Sequence, residues 1–346
     1  MEPAAVTDDQ FPTHLPSGVP AGIGRFSDAD GEVFLGAVLG ADVVPLEKTS
    51  FAVDGDDPAL LFGRWDQLVN TLCTWSDSGP PPGASIRPLR ELTVHPPVRP
   101  GRVFQSGANY RTHVIDLIVA QKIGQHDGED PATLRARAAE AMDVRAAMGT
   151  PYVFLGLPSA ITGPSDDIVL PGRGEQHDWE LELGVVIGRP AHRVHRDQAL
   201  DHVAGYTIVN DVTTRDLVFR PDIPGIGTDW LASKNAPTFS PTGPYLVPAA
   251  FVDPAALRVC LRLNGEVMQD GPTSDMIFDV ARLIEHTSAI TELQPGDLLM
   301  TGSPAGNGAH HGRFLQPGDV IEGEITGLGT QRNRCVAERE SVPPRR

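Results

Sequence analysis

The sequence predicts an α+β protein in which short strands dominate, a small N-terminal α+β domain leading into a larger mixed-β domain. Three features predict it. Strand-like runs of β-branched and aromatic residues recur along the chain, cut apart by clusters that draw on 36 Gly and 32 Pro. Helical periodicity is confined to three places, around 58–72, 117–149 and 274–293. Near the centre, Asp178-Trp179-Glu180-Leu181-Glu182-Leu183 alternates acidic and apolar residues before Val185-Val186-Ile187, the period-2 pattern of a strand.

The elements follow in order. Residues 1–20 are expected to be a flexible tail, and 21–95 the small domain. In it Ile23–Phe26 and Val33–Leu39 form a hairpin across Asp28-Ala29-Asp30-Gly31, which lacks the downstream Glu of a calcium loop. Asp57 caps a helix entered at Pro58 and ending near Leu72, and 76–83 reads as a linker. The larger domain covers 96–335, with a tail at 336–346. It opens with a buried strand at 102–106 that runs through Gly107 into a helix. Residues 117–149 form a helical insertion, started by Asp130-Pro131 and stopped at Gly149, with Leu134, Ala138, Ala141, Met142 and Val144 as its apolar stripe. Strands are expected at 152–155, 168–170, 178–187 and 203–209, a hairpin at 257–267 turning on Asn264-Gly265, a helix at 274–293, and final strands at 298–301 and 320–325.

Composition narrows the function. With 40% hydrophobic residues the chain can bury a substantial core. Its 45 acidic against 28 basic residues give a formal charge of −17, which argues against a nucleic-acid partner. Cys73, Cys260 and Cys335 have no C-x-x-C spacing and suit neither a disulfide framework nor a thiolate zinc site, so reduced thiols and a cytoplasmic location are expected. No apolar run is long enough to span a bilayer, and no membrane partner is expected.

Asp178, Glu180 and Glu182 would share one pleat face. Three like charges repel, so that face is either solvated or serves a hard cation, for which a few carboxylates and water suffice. His113 and Asp116, three apart on a helix, are neighbours: either an ordinary helix-start pair or a base oriented by a carboxylate. His310-His311 reads as a loop feature.

Further motifs decide between these. Gly107-Ala108-Asn109-Tyr110-Arg111-Thr112-His113, Pro158-Ser159-Ala160-Ile161-Thr162-Gly163-Pro164 and the carboxylate strand occur in that order. They are followed by Gly205 to Asp216, Ser233-Lys234 with Thr238 to Pro244, Asn264 to Gly271, and Thr301-Gly302-Ser303-Pro304-Ala305-Gly306. Each is weak by itself, but the ordered set over 100–330 resembles the fumarylacetoacetate hydrolase family. The resemblance implies a β-roll-like catalytic domain, a homodimer, and Mg²⁺ or Mn²⁺ held by Glu180, Glu182 and Asp211. It further implies His113 as general base oriented by Asp116, Lys234 as the cation beside the substrate oxygens, and Tyr110, Thr238, Gly302 and Ser303 as substrate contacts. Arg215 is either a substrate contact or a buried partner of Asp216.

The implied activity is hydrolysis of a carbon–carbon bond in an acylpyruvate-like 1,3-dioxo acid, a catabolic reaction on a small 2-oxo acid. The same site could serve a tautomerase, isomerase or oxaloacetate-type decarboxylase, and a non-catalytic metal-binding relative is a further alternative. Asp116 replaces the relatives' usual Glu, Gly156 a Lys, and Val218 a Gln. The last two point to a more apolar pocket and a bulky or aromatic acyl end. The long 117–149 insertion is expected to act as a lid.

Overall fold

The computed structural model describes residues 14–126, 129–223, 225 and 227–339; the rest of the expected tails lies outside them. From Leu15, which is buried and donates to the Gly40 carbonyl, the chain is packed. Strands β1 (Gly22–Ser27) and β2 (Val33–Leu39) pair antiparallel, and the Asp28 side chain accepts from the Asp30 N–H in the turn between them. With β3 (Asp42–Pro45), β4 (Arg87–Pro88) and β5 (Thr93–His95) they make a sheet ordered β4-β3-β2-β1-β5. Asp57 accepts from the Ala59 N–H, but the segment it caps is a 3₁₀ turn, Pro58–Arg64, that leads into α1 (Trp65–Ser78). The buried stripe Trp65, Leu68, Leu72 and Trp75 runs one turn past the expected end, so 76–78 belong to the helix.

Strand β6 (Val103–Gly107) leads into α2 (Arg111–Gln121), α3 (Pro131–Met148) and β7 (Tyr152–Gly156). Asp130 caps α3 as expected, accepting from the Ala132 and Thr133 N–H groups. Only Leu134, Ala138 and Met142 of its stripe are buried; Ala141 and Val144 face solvent. Short strands follow: β8 (Ile161–Thr162), β9 (Ile168–Leu170), β10 (His177–Asp178), β11 (Leu181–Ile187), β12 (Val203–Asn210) and β13 (Thr213–Thr214). Then come α4 (Trp230–Lys234), β14 (Ser240–Pro241), β15 (Val247–Pro248), β16 (Arg258–Leu263), β17 (Glu266–Pro272) and α5 (Val280–Ile290). The chain closes with β18 (Leu298–Met300), α6 (Gly308–His311), β19 (Val320–Ile325) and β20 (Gly329–Ala337).

Two larger sheets carry the rest, ordered β15-β12-β11-β18-β6-β7 and β17-β16-β19-β20-β9. Strand β11 is buried on both faces. Leu181, Leu183, Val185 and Ile187 pack into the core shared with Val259, Leu261 and Ile321 of the second sheet. The opposite pleat carries Val186, which belongs to the cluster around Trp65, Leu68 and Leu72 of α1. The Trp65 Nε1–H donates to the Ala204 carbonyl at 2.8 Å.

Three expectations are corrected. The carboxylate strand is interrupted at Trp179–Glu180, because the Glu180 N–H donates to the Asn210 side chain instead of a ladder carbonyl. The helix expected over 274–293 begins only at Val280, since Asp279 caps it by accepting from the Arg282 N–H. Strand β20 was not foreseen: its inward positions include Gln331 and Asn333, so no apolar alternation marks it. Their amides are buried because they serve backbone. Gln331 Nε2 donates to the carbonyls of Ile208, Pro241 and Gly243, and Asn333 Nδ2 to those of Gly163 and Asp166.

Candidate active site

The break before β11 turns Glu180 toward the end of β12, where Asp211 follows the strand, and pairing between these strands brings Glu182 alongside. One carboxylate oxygen from each of Glu180, Glu182 and Asp211 lies within 4.8 Å of the others. Every one of these groups is held. Glu180 accepts from Arg215 Nη2 at 2.6 Å and from Lys234 Nζ at 2.8 Å. Glu182 accepts from the Gly302 N–H at 2.7 Å. Asp211 accepts from Gln105 Nε2 at 2.7 Å and from Lys234 Nζ. Gly302 has φ +88, and a Cβ there would sit 3.0 Å from that of Asn109, so a side chain is excluded on both grounds.

Asp178 stands behind the cluster, fully buried. Its carboxylate accepts from Arg215 Nε at 2.7 Å and from the N–H groups of Trp179, Gly308 and Ala309. Arg215 therefore bridges Asp178 and Glu180, and not Asp216, which instead accepts from the Glu175 and Gln176 N–H groups.

The charges test the fit to a divalent ion. Asp178, Glu180, Glu182 and Asp211 face Arg215 and Lys234, four negative charges against two positive, and a divalent cation balances the remainder. Burial pushes Glu180 up, but Arg215 and Lys234 outweigh it and hold the carboxyl far below its usual range. Burial, then Asp211 and Glu180, push Glu182 well up. Asp211 is raised to about 6, chiefly by burial, with Lys234 opposing. Carboxylates raised in this way are short of positive charge, and three oxygen donors suit a hard cation. The residues fit.

The cluster opens into a cleft lined also by Ser106, Ala108, Asn109, His113, Leu117, Phe154, Trp230 and Ser303. His113 projects from the first turn of α2, half-buried. Burial lowers its pKa, against the pull of Glu180, so the ring is neutral near pH 7. The loop before it is fixed by Asn109, whose amide bonds the Phe278 backbone and the Thr301 carbonyl.

Several expected roles meet other partners. The Asp116 carboxylate accepts from Arg135 of α3 at 2.6 Å and makes no hydrogen bond to His113. Lys234 spends its three N–H bonds on Glu180, Asp211 and Thr213, so it holds the carboxylates together. The Gly302 N–H is given to Glu182, while Ser303 Oγ accepts from Gln269. Tyr110 is wholly buried and Thr238 Oγ1 accepts from the Val169 N–H; neither lines the cleft, because the backbone turns each toward the core or a neighbouring strand. Gly156 is filled in by Gln105, whose Oε1 would lie 2.8 Å from a Cβ there, and Val218 does not reach the cleft. Its apolar side comes instead from Phe154, Trp230 and Leu117, for which the sequence offered no pattern. Gln105 was missed for the same reason: it meets Asp211 only through the fold. His310 and His311 stand on α6 as an exposed pair, away from the cluster.

The family model for the fumarylacetoacetate (FAA) hydrolase C-terminal domain matches residues 102–336. A 2,4-didehydro-3-deoxy-L-rhamnonate hydrolase from Sphingomonas sp. (strain SKA58) is 44% identical over 188 residues, 53% of this chain and 64% of that protein. The human mitochondrial oxaloacetate tautomerase FAHD2A is 41% identical over 189 residues, 54% of this chain and 59% of the relative. The solved fumarylacetoacetate hydrolase of psychrophilic Exiguobacterium antarcticum superposes with a TM-score of 0.71 at 28% identity, covering 92% of this chain and 100% of that one. With the acidic triad, the ordered motifs and a match across most of its length, the chain belongs to the fumarylacetoacetate hydrolase family.

Proposed function

We propose that the protein hydrolyses a carbon–carbon bond in an acylpyruvate-like 1,3-dioxo acid. The observation that carries this is a carboxylate cluster fit for a divalent ion in one cleft with a neutral His113. A Mg²⁺ or Mn²⁺ ion held by Glu180, Glu182 and Asp211 supplies Lewis-acid attraction for the oxygens of a 2-oxo carboxylate. Arg215 and Lys234 keep Glu180 ionised, and Lys234 also holds Asp211 in place. His113 takes a proton from water, and the hydroxide adds to the distal carbonyl carbon. The bond between that carbon and the methylene then breaks, its electron pair passing into the enolate of the 2-oxo acid. Protonation of the enolate carbon by His113 completes the reaction, giving pyruvate and a carboxylic acid.

A tautomerase or decarboxylase is the second reading, favoured by one observation. Asp116 is engaged by Arg135, so it is not hydrogen-bonded to His113 and does not orient the ring. Proton exchange at an enolisable carbon, held in place by the substrate's own chelation, depends less on an oriented ring than activation of a free water does.

The test is turnover of acetylpyruvate, a longer and an aromatic acylpyruvate, and oxaloacetate, with Mg²⁺ and then with EDTA. Pyruvate plus a free acid, lost on chelation, supports the hydrolase. Enol–keto exchange without cleavage supports the tautomerase, and pyruvate from oxaloacetate alone the decarboxylase.

A further inference from the structure

We infer that Trp230 and Phe154 form the subsite for the far end of the substrate, and that this end is a flat, uncharged aryl or conjugated acyl group. The inference rests on reading the cleft as a 2-oxo acid site. The two rings are stacked, with centroids 4.7 Å apart and planes at 15°. Tyr152 leans on both, and its hydroxyl accepts from Trp230 Nε1 at 2.8 Å. Trp230 opens α4, which is fixed at one end by Asp229, accepting from the Ala232 N–H, and at the other by Asn235, donating to the Trp230 carbonyl. The wall is held from three sides, as a preformed recognition surface must be.

Its position gives it a role. The helix that begins with Trp230 ends with Lys234, whose ammonium lies 5.6 Å from the Trp230 ring centroid and 6.0 Å from that of Phe154. The same ammonium bonds Glu180 and Asp211. The wall therefore starts where the carboxylate cluster ends. A substrate with its 2-oxo carboxylate at the cluster extends its other end across these rings. His113 and Leu117, one helical turn apart on α2, enter the same cleft.

Charge excludes the alternative of a distal carboxylate. The cations lining the cleft are Arg215 and Lys234, and both are committed to Asp178, Glu180 and Asp211. Among the described lining residues no cation remains for a second carboxylate, which would also sit near like charge. An aryl group gains stacking area and meets no such repulsion.

Calorimetric binding to the Mg²⁺-loaded protein tests this without turnover, using pyruvate, phenylpyruvate and 2-oxoglutarate. Phenylpyruvate is expected to bind tightest and the diacid weakest. Trp230→Ala should cut the phenylpyruvate-to-pyruvate affinity ratio by about fivefold. Phe154→Leu, which keeps an apolar side chain but removes the stack, should lower the same ratio and serves if the first variant does not fold. An unchanged ratio in either folded variant, or a diacid that binds as well as the aryl acid, overturns the aryl subsite alone. Failure of all three acids to bind overturns the reading of the cleft, and the inference with it.

Discussion

The His113 ring is held neutral because the cleft removes water from it more effectively than Glu180 and Asp178 attract its proton, with Arg215 also opposing the charged form. With His113 as the proposed base, the active form is the unprotonated one, and activity is expected to rise with pH through a pKa below the ordinary histidine value. The acid limb of kcat/KM at saturating metal should have its midpoint below pH 6.5; a midpoint above 7 would sink the assignment. Arg135 pairs with Asp116, one of the charges that raise the His113 pKa, and is expected to tune this limb. A carboxylate near an imidazole raises its pKa, and Arg135→Ala leaves that carboxylate uncompensated, so the midpoint should move to higher pH. An unmoved or lowered midpoint means that Asp116 does not sense the ring. Gln105 acts through Asp211. Its amide is buried and donates 2.7 Å from the carboxylate, while its Oε1 has no protein partner. Gln105→Leu should weaken Mn²⁺ binding by about tenfold, read by titration, with the fold retained.

The α2–α3 hairpin joins the insertion to the site. Three arginines tie it: Arg135 to Asp116, Arg111 to Asp143, and Arg145 to the Ala108 carbonyl at 2.7 Å. The last reaches a residue that lines the cleft. Ala138 and Met142 share the core with Val114 and Ile115 of α2, so the hairpin is packed as well as pinned. The proposal that it acts as a lid predicts the outcome of deleting 124–147. Metal affinity should survive, kcat/KM should fall, and Tm should drop because Val114 and Ile115 lose their cover. Unchanged kinetics would count against the lid. At the sheet, β11 shows why a pattern misleads locally: an alternating strand is broken where Asn210 captures the Glu180 N–H, and that break is what aims the carboxylate.

At the scale of the molecule, the N-terminal part and the central sheet share one buried cluster, in which Trp65, Leu68 and Leu72 meet Val186, Leu298 and Met300. Trp65→Ala removes both that packing and a hydrogen bond to Ala204, and should destabilise by about 3 kcal/mol in urea unfolding. The shared cluster predicts one unfolding transition for the wild type; two resolved transitions would show that the parts fold separately. Much of this was legible in the chain. Period-2 alternation marked β11, a strand was expected at β12, turn chemistry placed the β1–β2 and β16–β17 hairpins, Asp130-Pro131 started α3, and ordered motifs named the family and the three carboxylates. These signals are local, because propensity, capping and pleat parity act over a few residues. The partners are not local. Arg135 on Asp116, Arg215 across to Asp178, Gln105 on Asp211, and the Trp230–Phe154 stack join residues far apart in sequence. The sequence by itself determined which chemical groups the cleft could contain; only the tertiary structure decided which charges each one meets, since that depends on distances the chain sets by folding.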